Sequence, residues 1–266
     1  MKSLLLRGLA AASLAFGGAA SAAVLVASYG FGDSLAADQA GVASLVAIDP
    51  TAAATFEDAT VFGSSRRVYT WGGSGSSAST QGGFSLNTTG LVSYDNYSVE
   101  LVFRFAELAK FGGGWRRIVD TQNRTSDNGF YVAPEEVLEV YPVVMGSTKF
   151  TTGDFHTVVL TNFVVGGVRE VKAYLDGVLE LESDTDQLNL DGLSNPDHLL
   201  HFFVDNSSGP AQLEWAAGSI ASLRLFDGII TPTGVSEPGS VTLVLLALAG
   251  LSAEQRRRAR SAGVAG

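Results

Sequence analysis

Residues 168–180 read VREVKAYLDGVLE, and this stretch decides the fold. Val171, Ala173 and Leu175 fall on alternate positions and so share one side of an extended chain, while Asp176-Gly177 is a pair that accepts the positive φ of a two-residue turn. The stretch predicts a β-hairpin. Just upstream, Val165-Gly166-Gly167 predicts a second turn, which joins residues 156–163 to 168–175 and makes a three-strand meander. Working outward, similar short apolar or alternating runs recur at 25–31, 98–105, 117–120, 137–144, 178–182, 199–204 and 218–226, separated by Gly, Asn, Asp and Ser. No helical period extends beyond a few turns. Nine or more short strands between turn signals predict an all-β, antiparallel two-sheet sandwich or a barrel. Residues 72–83, GGSGSSASTQGG, are too polar and too rich in glycine for a core and are expected in a long surface loop.

The composition sets limits on the chemistry. The chain has 266 residues, 46% hydrophobic and 17% charged, with no cysteine. That length suffices for one domain of about 200 residues with appendages. Without thiols there are no disulfides, no thiolate zinc or iron–sulfur sites and no cysteine nucleophile, so the core must hold by packing. Six of the 17 basic residues and one of the 27 acidic residues lie in the two ends, so residues 24–238 keep 11 against 26, a net charge of −15. A body so acidic repels phosphate backbones, which argues against nucleic acid as a partner.

The ends read as addresses. Lys2 and Arg7 precede the apolar run 9–16, and small residues follow, ending in Ala20-Ser21-Ala22. This is the order of a secretory signal peptide over residues 1–23, with cleavage expected after Ala22 or Ala23. At the other end, residues 235–239 (VSEPG) precede the apolar segment VTLVLLALAGL at 241–251, and then comes RRRAR at 256–260. Eleven residues rise only about 16 Å as a helix, roughly half of a hydrocarbon core. The segment therefore spans a membrane marginally, with the arginines held on the cytoplasmic side. Residues 235–260 resemble the PEP-CTERM sorting signal of exopolysaccharide-producing Gram-negative bacteria: Glu237 and Pro238 match its short motif, 241–251 its helix, and Arg256, Arg257 and Arg258 its basic cluster. Ser236 departs from the family, where a proline is usual. The resemblance implies an exosortase-type partner, transient insertion in the inner membrane by the C-terminal helix, and delivery of residues 24–234 to the cell surface or extracellular matrix, with 261–266 left as a tail.

The middle resembles the concanavalin A-like, laminin G-type jelly roll. The resemblance rests on LVASYGF at 25–31 followed by Asp33 and Asp38, YSVELVFRF at 97–105, the meander with AYLDG at 173–177, and GSIASLRLFDG at 218–228. It implies two curved antiparallel sheets, a fold whose members include carbohydrate binders, adhesion modules and some hydrolases, so that shape alone does not set the activity.

Hydrolases on such a sandwich carry carboxylates two apart on one strand, which brings them to one face. Glu136 and Glu139 are three apart and Glu135 sits beside them, whereas Glu180 and Glu182 share a face but lead into the polar run SDTD at 183–186. No catalytic pair is assigned. His198 and His201 face opposite sides of a strand, His156 opens another, and all three are expected at surface or edge positions without metal-site spacing. Two oxygen-rich loops stand out, 120–129 (DTQNRTSDNG) and 205–209 (DNSSG). If they meet at one rim, Asp120, Asn123, Asp127, Asp205 and Asn206 offer the hard oxygens that calcium takes, and the laminin G-type resemblance implies calcium there. The same residues are ordinary turn formers, and Arg124 can neutralise Asp120 or Asp127 without a metal. For ligand stacking, Trp115 in FGGGWRR at 111–117 is expected exposed on a glycine-rich loop, while large aromatics elsewhere are expected in the core. Together these readings predict an exported, non-enzymatic jelly roll that binds glycan or acts in adhesion within an exopolysaccharide matrix. The alternatives are an extracellular polysaccharide hydrolase on the same fold and a purely structural matrix component.

Overall fold

The computed structural model describes residues 23–73, 80–106, 112–207 and 214–232, so the expected signal peptide with Ala22 and the sorting segment with Glu237, Pro238, Arg256, Arg257 and Arg258 lie outside the described residues. Fifteen strands are present among the described residues. The first eight are β1 (Val24–Tyr29), β2 (Val46–Ile48), β3 (Thr55–Val61), β4 (Ser64–Trp71), β5 (Gly83–Asn87), β6 (Tyr97–Phe105), β7 (Arg116–Asp120) and β8 (Gly129–Val132). The rest are β9 (Leu138–Tyr141), β10 (Val144–Met145), β11 (His156–Val165), β12 (Val168–Leu175), β13 (Val178–Ser183), β14 (Leu199–Phe202) and β15 (Gly218–Asp227).

They form two antiparallel sheets. One runs β13-β12-β11-β6-β15-β4-β3, and β1 pairs with the half of β15 that β4 leaves open. The other runs β10-β9-β8-β7-β14-β5-β2. The expected meander is there as β11-β12-β13, with turns at Gly166-Gly167 and at Asp176-Gly177, whose φ values of 50° and 86° are the left-handed pair that a two-residue hairpin requires.

Alternation explains the core. Val99, Leu101, Phe103 and Phe105 of β6 and Val171, Ala173 and Leu175 of β12 face Phe84, Leu86, Phe130, Val132, Leu138, Val140, Leu200 and Phe202 of the second sheet, all in one buried cluster. Trp71 stacks on Phe203 at 3.9 Å between centroids and donates its indole N–H to the Ala216 carbonyl at 2.9 Å, so a large ring is buried with its polar atom satisfied. Gly218 of β15 stands opposite Trp71 of β4 in register and has no room for a side chain: a Cβ there would lie 2.4 Å from both the Arg104 carbonyl and the Trp71 ring.

The structure bears out the all-β sandwich and differs in detail. Strands β2, β3, β4, β5 and β8 are additional to the runs singled out in the sequence. The expected strand 137–144 is two strands, because Pro142 has no N–H to continue a ladder and the chain turns there, with Val143 N–H bonded to the Val140 carbonyl. The expected surface loop 72–83 turns inward at its end: Gln81 is fully buried, and its side-chain oxygen accepts from Asp205 N–H at 3.0 Å.

Candidate functional site

On β7, β8 and β9 the residues between the core positions point away from the first sheet. Register places Arg117 opposite Tyr131, Tyr131 opposite Glu139, and Gly129 opposite Tyr141, so these side chains form a row on the outer face of the second sheet. Trp115, just before β7, completes it. Its ring meets Tyr131 edge to face at 5.5 Å and Tyr141 at 5.1 Å, and Trp115 and Tyr141 are both half-buried.

Tyr131 connects these rings to a carboxylate cluster. Its hydroxyl lies 2.8 Å from Glu214 Oε2 and 2.7 Å from the Asp127 carbonyl, and the Arg117 guanidinium lies over its ring at 4.8 Å. Asp127, Asp205 and Glu214 each bring a carboxylate oxygen within 4.8 Å of the others. Arg117 is fully buried among them: Nη1 binds Asp120 Oδ2 at 2.5 Å, and Nη2 lies 3.4 Å from Glu214 Oε2 and 3.5 Å from Asp205 Oδ1. Burial alone would lower the pKa of this guanidinium, but the charges around it outweigh burial and raise it.

The loops are held by their own carboxylates. Asp120 Oδ1 accepts from the N–H groups of Gln122 (3.1 Å) and Arg124 (2.8 Å), which closes an Asx-type turn through Asn123 and Arg124, both at positive φ. Asp205 Oδ1 accepts from Asn206 N–H at 2.6 Å and Oδ2 from Glu214 N–H at 2.9 Å, so one side chain holds both Asn206 and Glu214. The Arg124 side chain joins the two loops, its Nε donating to the Asp205 carbonyl at 2.6 Å.

Glu214 carries the electrostatic signature of the cluster. Burial first, and then the Asp205 carboxylate, push its pKa above the ordinary glutamate value against the opposing effect of Tyr131 and Arg117. Four carboxylates, Asp120, Asp127, Asp205 and Glu214, thus surround two guanidiniums, those of Arg117 and Arg124. Negative charge remains in surplus.

Of the five residues expected to offer oxygens to one ion, the structure brings together Asp127, Asp205 and Asn206, with the Asn206 amide donating to Asp127. Asp120 and Asn123 are engaged elsewhere. The Asp120 carboxylate is spent on Arg117 and on the turn, and Asn123 Oδ1 faces His201 Nε2 at 3.2 Å. Asp120 is neutralised first by Arg117, which supplies the ion pair, and then by Arg124, which adds a backbone N–H and the attraction of its charge. Trp115 is half-buried rather than fully exposed, because Tyr131 and Tyr141 take its edge contacts. His156 and His201 are buried rather than at the surface, and burial with the neighbouring Arg124 and Arg117 charges holds His201 down to about 4. Glu139 is buried on the row with its Oε2 unpartnered, and burial followed by the Glu135 charge raises its pKa. Glu180 and Glu182 stay outside the site: Glu180 accepts from the N–H groups of Ser147 and Thr148, and Glu182 pairs with Lys172 at 2.9 Å.

Sequence reasoning missed Arg117, Tyr131 and Glu214. Tyr131 carried no signal, since GFYV at 129–132 shows no polar–apolar alternation. Arg117 had one partner close in the chain, Asp120 three residues on, whereas its contacts to Asp205 and Glu214 are distant and unreadable.

The donor set suits a hard divalent cation in kind: three carboxylate oxygens within 4.8 Å match the span across a calcium ion, whose oxygens lie at about 2.3–2.6 Å. Arg117 already offsets part of their charge, so an ion here would take up the surplus rather than create the site.

No protein-family model matches the chain, and no curated protein matches it. Among solved structures it is similar to a botulinum neurotoxin type C chain from a study of cell entry dependent on two ganglioside molecules, with a TM-score of 0.48, 14% identity, and coverage of 80% of this chain and 50% of that one. It is also similar to the CBM40 of a Ruminococcus gnavus IT-sialidase bound to α2,3-sialyllactose (TM-score 0.42, 10% identity, 61% of this chain and 92% of that one). A third is an alginate lyase (TM-score 0.36, 11% identity, 71% and 98%). The chain spans about half the length of the neurotoxin chains it matches. At these identities the likeness concerns the fold and assigns no residue a role.

Proposed function

We propose that the protein is an exported, non-enzymatic β-sandwich that binds polysaccharide on the outer face of its second sheet, at Trp115, Tyr141 and the Asp127–Asp205–Glu214 cluster. One observation carries the reading: two half-buried aromatic residues, Trp115 and Tyr141, stand edge to face against Tyr131, whose hydroxyl reaches a carboxylate in surplus negative charge. Sugar rings present C–H faces that pack on aromatic side chains and hydroxyls that donate to carboxylates, so a surface offering both at short range suits them. In this reading Asp127, Asp205 and Glu214 hold calcium, which would neutralise the cluster and stiffen the two loops that Asp205 and Arg124 join. The signal-peptide pattern, the acidic body and the tail with Glu237, Pro238 and Arg256 to Arg258 support delivery through an exosortase-type system to the cell surface or exopolysaccharide matrix of a Gram-negative bacterium.

A second reading, hydrolysis of matrix polysaccharide, draws on Glu214 alone. Its raised pKa suits a general acid, and Asp127 and Asp205 lie near enough to serve as a second carboxylate. Release of reducing ends from extracted exopolysaccharide, abolished by Glu214→Gln, would favour it.

The test of the primary reading is a glycan array probed with the purified protein and with Trp115→Ala. Retention of a defined glycan set by the wild type, with affinity lost by roughly tenfold or more in the variant, is expected. Absence of any retained glycan, or equal binding by both proteins, would refute it.

A further inference from the structure

The first sheet carries a groove on its outer face, away from the carboxylate cluster. Glu100 of β6 and Phe226 of β15, which alternate with the core residues Val99, Leu101 and Leu225, line it together with Phe62, Asp176, Ile230 and Pro232, around a volume of about 460 Å³. Both carboxylates are already engaged. Glu100 Oε1 accepts from Arg224 Nη1 at 3.0 Å, while Asp176 faces His156 Nδ1 at 2.7 Å and accepts from Thr157 N–H at 2.8 Å. What the groove offers an occupant is therefore chiefly apolar contact, from Phe62, Phe226, Ile230 and Pro232.

Phe62 sits against the local preference of its own turn. Phe62-Gly63 is the two-residue connection of the β3–β4 hairpin, at φ values of 47° and 79°, where Asn-Gly or Asp-Gly is the favoured pair. Phenylalanine at that position puts a Cβ in the left-handed region and leaves its side chain 62% exposed beside the groove. The chain itself is aimed the same way. After β15, the Ser98 hydroxyl donates to the Gly228 carbonyl at 2.8 Å and accepts from Ile230 N–H at 3.1 Å, which turns the chain back across the sheet. Ile230 and Pro232 thereby become part of the wall, and Pro232 is the last described residue. The start of the body lies nearby, with Ala23 beside Gly228, but among the described residues none before Phe62 lines the groove.

We propose that the occupant is the chain's own apolar segment, residues 241–251 (VTLVLLALAGL), held against Phe62, Phe226, Ile230 and Pro232 while the protein is in water. Residues 233–240 connect the two and reach at most about 30 Å when extended, far enough to bring the segment back over the groove beside which the connection starts. Gly234, Pro238 and Gly239 are the turn formers that such a reversal uses. Charge acts in the same direction, since the four arginines at 256–260 follow the segment and residues 24–238 carry a net charge of −15. An uncovered apolar run in water drives association between chains. The groove covers one side of the segment and so favours the single chain, whereas a membrane can surround the segment and withdraws it. The proposal takes from the preceding reading only the apolar character of the tail, and it shares no residue with the Trp115 site.

The chain has no cysteine, so a nitroxide attached at Ser252→Cys, just past the segment, marks the full-length protein at a single place. The amide signals of Gly177, which also lines the groove, and of Phe226 are followed in the ¹⁵N-labelled protein. Broadening of both is expected, reduced roughly tenfold by Phe62→Asn, which removes one aromatic contact from the groove. That variant installs the favoured turn pair at an exposed position, so the hairpin still folds. Dodecylphosphocholine micelles, which take up the segment, are expected to abolish the broadening. No broadening, equal broadening with and without Phe62→Asn, or broadening that survives micelles would overturn the proposal. So would broadening of ¹⁵N-labelled chains by separate spin-labelled chains mixed with them, which would put a second copy in the groove. A label at Ser13→Cys that broadens the same signals as strongly would give the groove to the N-terminal apolar run and overturn it as well. No glycan enters the experiment, so its failure leaves the Trp115 reading untouched.

Discussion

His156 faces an acceptor at each ring nitrogen, Asp176 Oδ2 at 2.7 Å from Nδ1 and the Thr151 carbonyl at 3.1 Å from Nε2. Burial disfavours its charge, but these partners, with Asp154 nearby, outweigh burial and raise its pKa above 6.5. Asp176 responds in the opposite sense: burial raises it, yet His156 and the Thr157 N–H hold it below 3.8. The pair therefore contributes most between about pH 3.8 and about pH 6.5, and its contribution is lost as pH falls through the depressed value of Asp176 or rises through the raised value of His156. His156→Gln should lower the melting temperature most near pH 5 and progressively less toward pH 9, and a loss independent of pH would contradict this origin. At Glu214 the raised pKa reports a cost of burying the charge, followed by repulsion from the Asp205 carboxylate. Glu214→Gln, which relieves it, should leave the metal-free protein at least as stable as the wild type. Calcium should raise the melting temperature of the wild type and not of the variant, and differential scanning calorimetry with and without calcium chloride decides the matter.

At the scale of elements, legibility followed alternation. β6, β11, β12 and β15 were readable because each carries several apolar residues on one parity, and the Asp176-Gly177 turn announces its hairpin. β3 was not readable. It is an edge strand whose residues are mostly exposed, TFEDATV, so no buried face imposes a pattern on it. β8 was hidden by its length of four residues, all buried, which shows no alternation of polar and apolar residues. The close pairing at Gly218 is invisible in sequence, since the ring it must clear belongs to Trp71, far away in the chain. Gly218→Ala should destabilise the protein by about 1–3 kcal/mol in urea unfolding, as overpacking does in a dense core, whereas a neutral result would mean that the Trp71 ring yields at no cost.

For the whole molecule, the sandwich was legible and the site only partly so. Asp127, Asp205 and Asn206 were identified because two oxygen-rich loops advertise themselves. That these loops meet depends on the pairing of β14 with β7, which brings chain segments some eighty residues apart to one rim. The pairing also buries Arg117 beneath them, and a buried arginine has no sequence signature. The account rests on Trp115 as the ring that meets the ligand, and the tryptophans allow that to be measured directly. Trp71 and Trp215 are buried in the core, so a change in tryptophan emission on ligand binding should come from Trp115. The deciding measurement is a titration of intrinsic tryptophan fluorescence with extracted exopolysaccharide. The account predicts a saturable change in the wild type that disappears in Trp115→Phe; no change in the wild type, or the same change in both proteins, would contradict it.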